Sequence, residues 1–61
     1  MKWSWTNFDD TEMYQRARRV INREAPSTNE ENAKALAWSM VHYARKHKVT
    51  MENAYNRVEF G

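Results

Sequence analysis

Three helix-start signals, each followed by apolar residues at helical spacing, restrict what this chain of 61 residues can form. In the first signal, Asp9 stands three residues before Glu12, so Asp9 can cap the helix while Glu12 reaches back to the Asp9 amide. Phe8 and Met13 flank the pair at the two positions of a hydrophobic staple. The pattern predicts a first helix over residues 10–24.

A second signal follows Pro26, and it leaves two alternatives open for the cap. Ser27 with Glu30, or Thr28 with Glu31, offers a hydroxyl cap and an acid three residues later. Acidic side chains also favour the positive end of a helix dipole. This signal predicts a second helix over residues 28–47.

Thr50 is the third predicted cap, with Val49 before it and Asn53 three residues after it. A third helix over residues 50–59 follows. Pro26 disfavours helical geometry at the residue before it and so separates the first two helices. The connections are short, which places consecutive helices side by side.

Behind each cap, apolar residues recur at intervals of three and four, as on the buried face of a helix. The predicted fold class is all-α: one compact three-helix domain spanning residues 1–61, with an aromatic N-terminal arm. A chain this short has room for one hydrophobic core. The expected core residues are Met13, Tyr14, Ala17, Val20, Ile21, Ala33, Leu36, Ala37, Met40, Val41, Ala44, Met51, Ala54, Tyr55 and Val58.

Several classes of protein are excluded by composition. The chain has no cysteine, which rules out a disulfide framework and a thiolate nucleophile or metal ligand. Its longest mostly apolar run, residues 35–41, is too short to cross a membrane, and the N-terminus lacks the apolar region of a signal peptide. We expect a cytoplasmic protein with no membrane partner.

Catalysis finds no support in the motifs. His42 and His47 are five residues apart, which on a helix points them about 140° away from each other and excludes a shared metal. Ser39 and His42 lack an orienting acid and an oxyanion hole. There is also no glycine-rich phosphate loop. The sequence predicts a protein that binds rather than an enzyme, without catalytic residues, metal or cofactor.

Charge is distributed unevenly along the chain. Residues 1–31 carry five Lys or Arg against six Asp or Glu, whereas residues 32–61 carry five against two. The excess lies in the run Arg45, Lys46, His47 and Lys48, with Arg57 further on. Such a cluster is either a solvated surface or a phosphate-binding footprint.

The segment over residues 44–58 resembles a helix-turn-helix unit: Ala44 in the first helix, Val49 closing the turn, the cap Thr50, and Ala54 facing back. Lys48 stands where this motif usually has a glycine, which implies a left-handed backbone there. The resemblance implies that the third helix enters the DNA major groove.

The leading interpretation is therefore a small DNA-binding regulator or accessory protein for double-stranded DNA. Asn and Arg side chains on the outward face of the third helix are the types that pair with adenine and guanine. So short a helix reads a short site, and two half-sites would need a homodimer. The expected DNA-binding residues are Arg45, Lys46, Lys48, Thr50, Asn53, Asn56 and Arg57.

The alternative is a protein-binding adaptor or inhibitor. In an extended arm the indoles of Trp3 and Trp5 point the same way, either into the core, where they would cover Trp38, or outward as anchors. Exposed indoles could also stack on single-stranded nucleic acid. Tryptophan and arginine dominate protein-binding hot spots. The expected residues of this surface are Trp3, Trp5, Arg16, Arg19, Arg23 and Trp38.

Overall fold

Three helices account for most of the chain in the computed structural model, which describes residues 4–61. They are α1 (Asp10–Glu24), α2 (Glu30–His47) and α3 (Met51–Phe60), and each of them contacts the other two. Residues 4–61 contain no strand. The all-α three-helix domain is confirmed, with α2 beginning two residues later than predicted and α3 shifted by one.

Two of the three predicted caps form as expected. The Asp9 carboxylate accepts a hydrogen bond from the Glu12 amide at 2.8 Å, and the Thr50 hydroxyl accepts one from the Asn53 amide at 3.2 Å. The reciprocal half of the first capping box does not form among the described residues. The Glu12 carboxylate lies instead 3.8 Å from the guanidinium of Arg16, one helical turn further along α1.

The prediction of Ser27 or Thr28 as the cap of α2 was wrong. The cap is Asn29, whose side-chain oxygen accepts a hydrogen bond from the Asn32 amide at 2.8 Å. The reason is the turn after α1, in which the Thr28 amide donates to the Ala25 carbonyl at 3.1 Å. Because this turn runs as far as Thr28, Asn29 is the residue that has the extended backbone of a helix cap, with φ −69° and ψ 162°.

The core is built from the predicted apolar faces of the helices. Met13, Ile21 and Met40 are its largest fully buried side chains. Small residues buried at the helix contacts let the backbones approach closely. The buried residues are Trp5, Met13, Ala17, Val20, Ile21, Ala33, Ala37, Met40, Val41, Ala44, Met51, Ala54 and Tyr55, while Tyr14, Leu36 and Val58 are partly buried against them.

The N-terminal arm reaches the core through Trp5, which is 4% exposed. Its indole N–H donates to the Val49 carbonyl at 2.6 Å, and its ring meets Phe8 edge-on at 5.0 Å between centroids. Core packing is thus confirmed for Trp5, whereas Trp3 lies outside the described residues. The arm was also expected to cover Trp38, but Trp5 packs at the α2–α3 turn and Trp38 stays 41% exposed.

The turn between α2 and α3 contains a left-handed residue at the position where one was expected. Lys48 has φ 55° and ψ 51°, and its amide donates to the Ala44 carbonyl. The amide of Val49 donates to the same carbonyl at 3.3 Å. This geometry ends α2 and redirects the chain into α3, which begins after Thr50.

Candidate nucleic-acid interface

A surface depression of about 440 Å³ lies between the last turns of α2 and the outward side of α3. It brings together three of the side chains that the sequence predicted to contact DNA, Asn53, Asn56 and Arg57. The α2 side of the depression is formed by Tyr43 and His47, and Val49 completes it. The predicted amide and guanidinium groups therefore share one surface.

Tyr43 was not among the predicted site residues, although it lines this depression. Its ring packs against that of His47, with 4.2 Å between centroids and 31° between planes. The signal for this pair was present in the sequence, because aromatic residues four apart on a helix are neighbours. The stacked rings form the wall of the depression that faces Asn53 and Arg57.

The exposed cations near the α2–α3 turn include Lys46, Lys48 and Arg57. Within residues 4–61, none of these three has an ion pair or a side-chain hydrogen bond. Glu52, on the same helix as Arg57, has its carboxylate 3.7 Å from the guanidinium of Arg23 on α1. The positive charge at the turn is therefore not neutralised by this carboxylate.

Arg45 has a different role from its neighbours. Its guanidinium donates to the Asp10 carboxylate at 2.7 Å and to the Phe8 carbonyl at 3.2 Å, which ties α2 to the start of α1. Because these two bonds join α2 to the start of α1, we expect Arg45 to stabilise the fold rather than to contact DNA. The hydroxyl of Thr50 likewise serves as the helix cap described above.

The residues predicted for protein binding divide between separate surfaces. Arg16, Arg19 and Arg23 lie on the side of α1 that faces the start of α3. Trp38 packs instead on Tyr14, with ring centroids 4.8 Å apart. Tyr14 precedes Arg19 by five residues, so the two side chains point about 140° apart around α1. The exposed indole and the arginine strip do not form one patch.

Arg18 is a residue whose role the sequence did not reveal. Its guanidinium donates two hydrogen bonds to the Glu30 carboxylate, at 2.9 and 2.8 Å, and one to the Tyr14 hydroxyl at 2.8 Å. The hydrogen bond from Arg18 lowers the pKa of Glu30, and the same bond raises the pKa of Arg18. This pair links α1 to the first turn of α2 and steadies Tyr14 beneath Trp38.

Comparisons of the chain with protein-family models, curated proteins and solved structures return no match. Over residues 4–61, none of the helices has the length and apolar character needed to cross a membrane. The same stretch holds no group of three or more His, Cys, Asp or Glu side chains placed to bind a metal ion. The candidate binding surfaces are the depression beside α3 and the arginine strip of α1.

Proposed function

We propose that this protein binds double-stranded DNA through α3 and the turn before it. The observation that carries the proposal is the grouping of Asn53, Asn56 and Arg57 on one depression, beside two lysines that have no ion pair within residues 4–61. Amide side chains pair with adenine and guanidinium groups with guanine in the major groove. The lysines, Lys46 and Lys48, provide charge for the phosphates.

The backbone of the turn also supports this proposal. Lys48 adopts the left-handed conformation that the helix-turn-helix resemblance implies for its position. Ala44 and Ala54, at the small-residue positions of that resemblance, are both 0% exposed and leave room for α2 and α3 to cross closely. This arrangement directs the outward side of α3 to solvent, where a duplex can reach it.

Salt dependence gives the proposal a quantitative form. Each cation that neutralises a phosphate releases a counterion, so log K falls with log salt at a slope of about −0.9 per contact. Lys46, Lys48 and Arg57 together predict a slope of about −2.7, or about 40-fold weaker binding at 200 than at 50 mM salt. Arg45 is left out of this sum because it is bonded to Asp10.

Fluorescence anisotropy with a labelled duplex of about 20 base pairs, two helical turns, tests the electrostatic part. Lys46→Ala should weaken binding and flatten the slope by about 0.9. Lys34→Ala removes the same charge about 18 Å away along α2 and should change neither. Absence of duplex binding at 50 mM salt, or equal losses in the two variants, would refute the proposal.

Base reading is tested separately, by selection from a pool of random duplexes. Asn53→Ala and Asn56→Ala should flatten the base preference, whereas Asn22→Ala, on the exposed side of α1, should leave it intact. A single short helix reads few bases, so we expect two copies on half-sites about 34 Å apart. Sedimentation of the protein with a selected duplex measures this stoichiometry, and a duplex of one half-site should bind a single copy.

A further inference from the structure

A second groove, of about 330 Å³, runs between α1 and the start of α3, on the side of α3 that faces α1. Its apolar lining comes from Trp5, Val20 and Met51, which are 3–5% exposed and belong to the core. Its polar lining includes the three guanidinium side chains of the α1 strip. The groove is lined by Trp5, Arg16, Arg19, Val20, Arg23, Thr50, Met51 and Glu52.

The fold explains only part of the arginine strip: the guanidinium of Arg16 lies over the Phe8 ring, with its central carbon 4.8 Å from the ring centroid. Like charges three and four residues apart destabilise a helix, yet α1 carries Arg16, Arg19 and Arg23 at this spacing. Arg19 has no hydrogen bond, ion pair or ring contact within residues 4–61, in contrast to the two arginines, Arg18 and Arg45, that join the helices. Its exposed guanidinium is available to a ligand.

The other two arginines have acidic side chains within reach, and each arginine side chain is about half exposed. Glu12 lies 3.8 Å from Arg16, and Glu52 lies 3.7 Å from Arg23, distances beyond an ordinary hydrogen bond. The Nε–H of Arg23 also donates a hydrogen bond to the carboxylate of its neighbour Glu24 at 3.0 Å. All of these side chains are about half exposed, and ion pairs of this kind contribute little, so an incoming carboxylate can replace them.

We propose that this groove binds an acidic helical segment of a partner protein. Arg16, Arg19 and Arg23 span about 10 Å along α1, which matches carboxylates at positions i, i+3 and i+7 of a second helix. The small exposed edges of Val20 and Met51 then give an apolar side chain of the same segment a shallow contact. A duplex backbone would satisfy the arginines but has no such side chain to place there.

A labelled peptide of about 14 residues, four helical turns, serves as the probe. It carries Glu at i, i+3 and i+7 with Leu between them, and two control peptides replace either every Glu by Gln or every Leu by Ser. Anisotropy at 50 mM salt should show saturable binding of the first peptide, at least tenfold weaker binding of the Gln control because it loses three ion pairs, and a smaller loss for the Ser control. Equal binding of the three peptides, or no saturable binding, would overturn the proposal.

Protein variants locate the contact. Arg19→Ala should weaken peptide binding about two- to fivefold, the range for one exposed ion pair, while Lys34→Ala, with the same charge change, should not. Glu52→Gln should strengthen binding about two- to fivefold because it releases Arg23, whereas Glu59→Gln on the same helix should have no effect. Circular dichroism checks that each variant is folded. Equal losses in Arg19→Ala and Lys34→Ala would mean a non-specific charge effect and overturn the assignment.

This inference does not depend on DNA binding, because the groove includes none of the lysines or asparagines proposed to contact a duplex. Peptide binding that survives Lys46→Ala supports the groove even if no duplex binds. A duplex affinity that falls as much in Arg19→Ala as in Lys46→Ala would instead make the strip part of the DNA surface. That result would overturn the peptide assignment and leave the proposed function standing.

Discussion

Trp5 is the residue through which the N-terminal arm supports the α2–α3 turn, and Trp5→Phe tests this role. The variant keeps an aromatic ring beside Phe8 but removes the indole N–H that donates to the Val49 carbonyl at 2.6 Å. It also leaves a gap in the core, because Trp5 is only 4% exposed. Both losses act at the same point in the fold.

The expected destabilisation is large for so small a domain. Leaving the Val49 carbonyl without this donor costs about 1–3 kcal/mol, and the gap adds about 1 kcal/mol. At 0.05–0.15 kcal/mol per residue, the whole domain is stable by only about 3–9 kcal/mol. A loss of about 2–4 kcal/mol should therefore lower the Tm by at least about 8 °C.

Thermal denaturation followed by circular dichroism measures this effect, with Trp38→Phe as the matched control. Trp38 is 41% exposed and contacts Tyr14 at the surface, so the same substitution there should cost less than about 1 kcal/mol. If Trp5→Phe melts within about 2 °C of the wild type, or no lower than the control, Trp5 does not brace the turn and the reasoning is wrong.

Three further stability predictions concern the turns and one ion pair. Lys48→Gly should be neutral or stabilise by up to about 1 kcal/mol, since it relieves left-handed strain, whereas Lys46→Gly within α2 should cost about 1 kcal/mol; denaturant unfolding of both decides. Asn29→Ala should cost about 1 kcal/mol by removing the α2 cap, and Ser27→Ala nearly nothing; equal melting temperatures would contradict the assignment of the cap. Because the pKa of Glu30 is lowered in the folded state, its ion pair stabilises the protein above the ordinary carboxylate pKa of about 4.3 and is lost as pH falls through the lower folded value. The Tm difference between wild type and Glu30→Gln should therefore be present at pH 7 and close in strong acid; a constant gap would refute this linkage.

Local sequence determined the candidate DNA surface to a large degree. The spacing of apolar residues in α3 places Ala54 and Tyr55 inside, so Asn53 and Asn56 must point outward, as the structure has them. The left-handed Lys48 was implied by the resemblance of residues 44–58 to a helix-turn-helix unit, in which a glycine usually stands at this position. These features depend on residues within a few positions of one another, so helical spacing and local turn preferences predict them without knowledge of the tertiary structure.

The role of each charged or aromatic side chain could not be obtained in that way. Arg45 and Lys46 are neighbours in sequence, yet one is bonded to Asp10 and the other has no ion pair within residues 4–61. The bonds that distinguish such residues join positions 35 residues apart for Arg45 and 44 apart for the indole of Trp5. A short-range sequence pattern cannot identify a partner that is so far away along the chain.

The sequence by itself therefore determined where the helices lie and which faces they bury, because caps and apolar periodicity are local properties of the chain. Only the tertiary structure decided which cations remain without ion partners within residues 4–61 and that Trp5 is buried at the α2–α3 turn. The cap of α2 is a case that the sequence left open. The turn after α1 runs as far as Thr28, and the cap is therefore Asn29 rather than Ser27 or Thr28. Packing three helices brings separate segments into contact, and those contacts select among side chains that are equivalent in sequence.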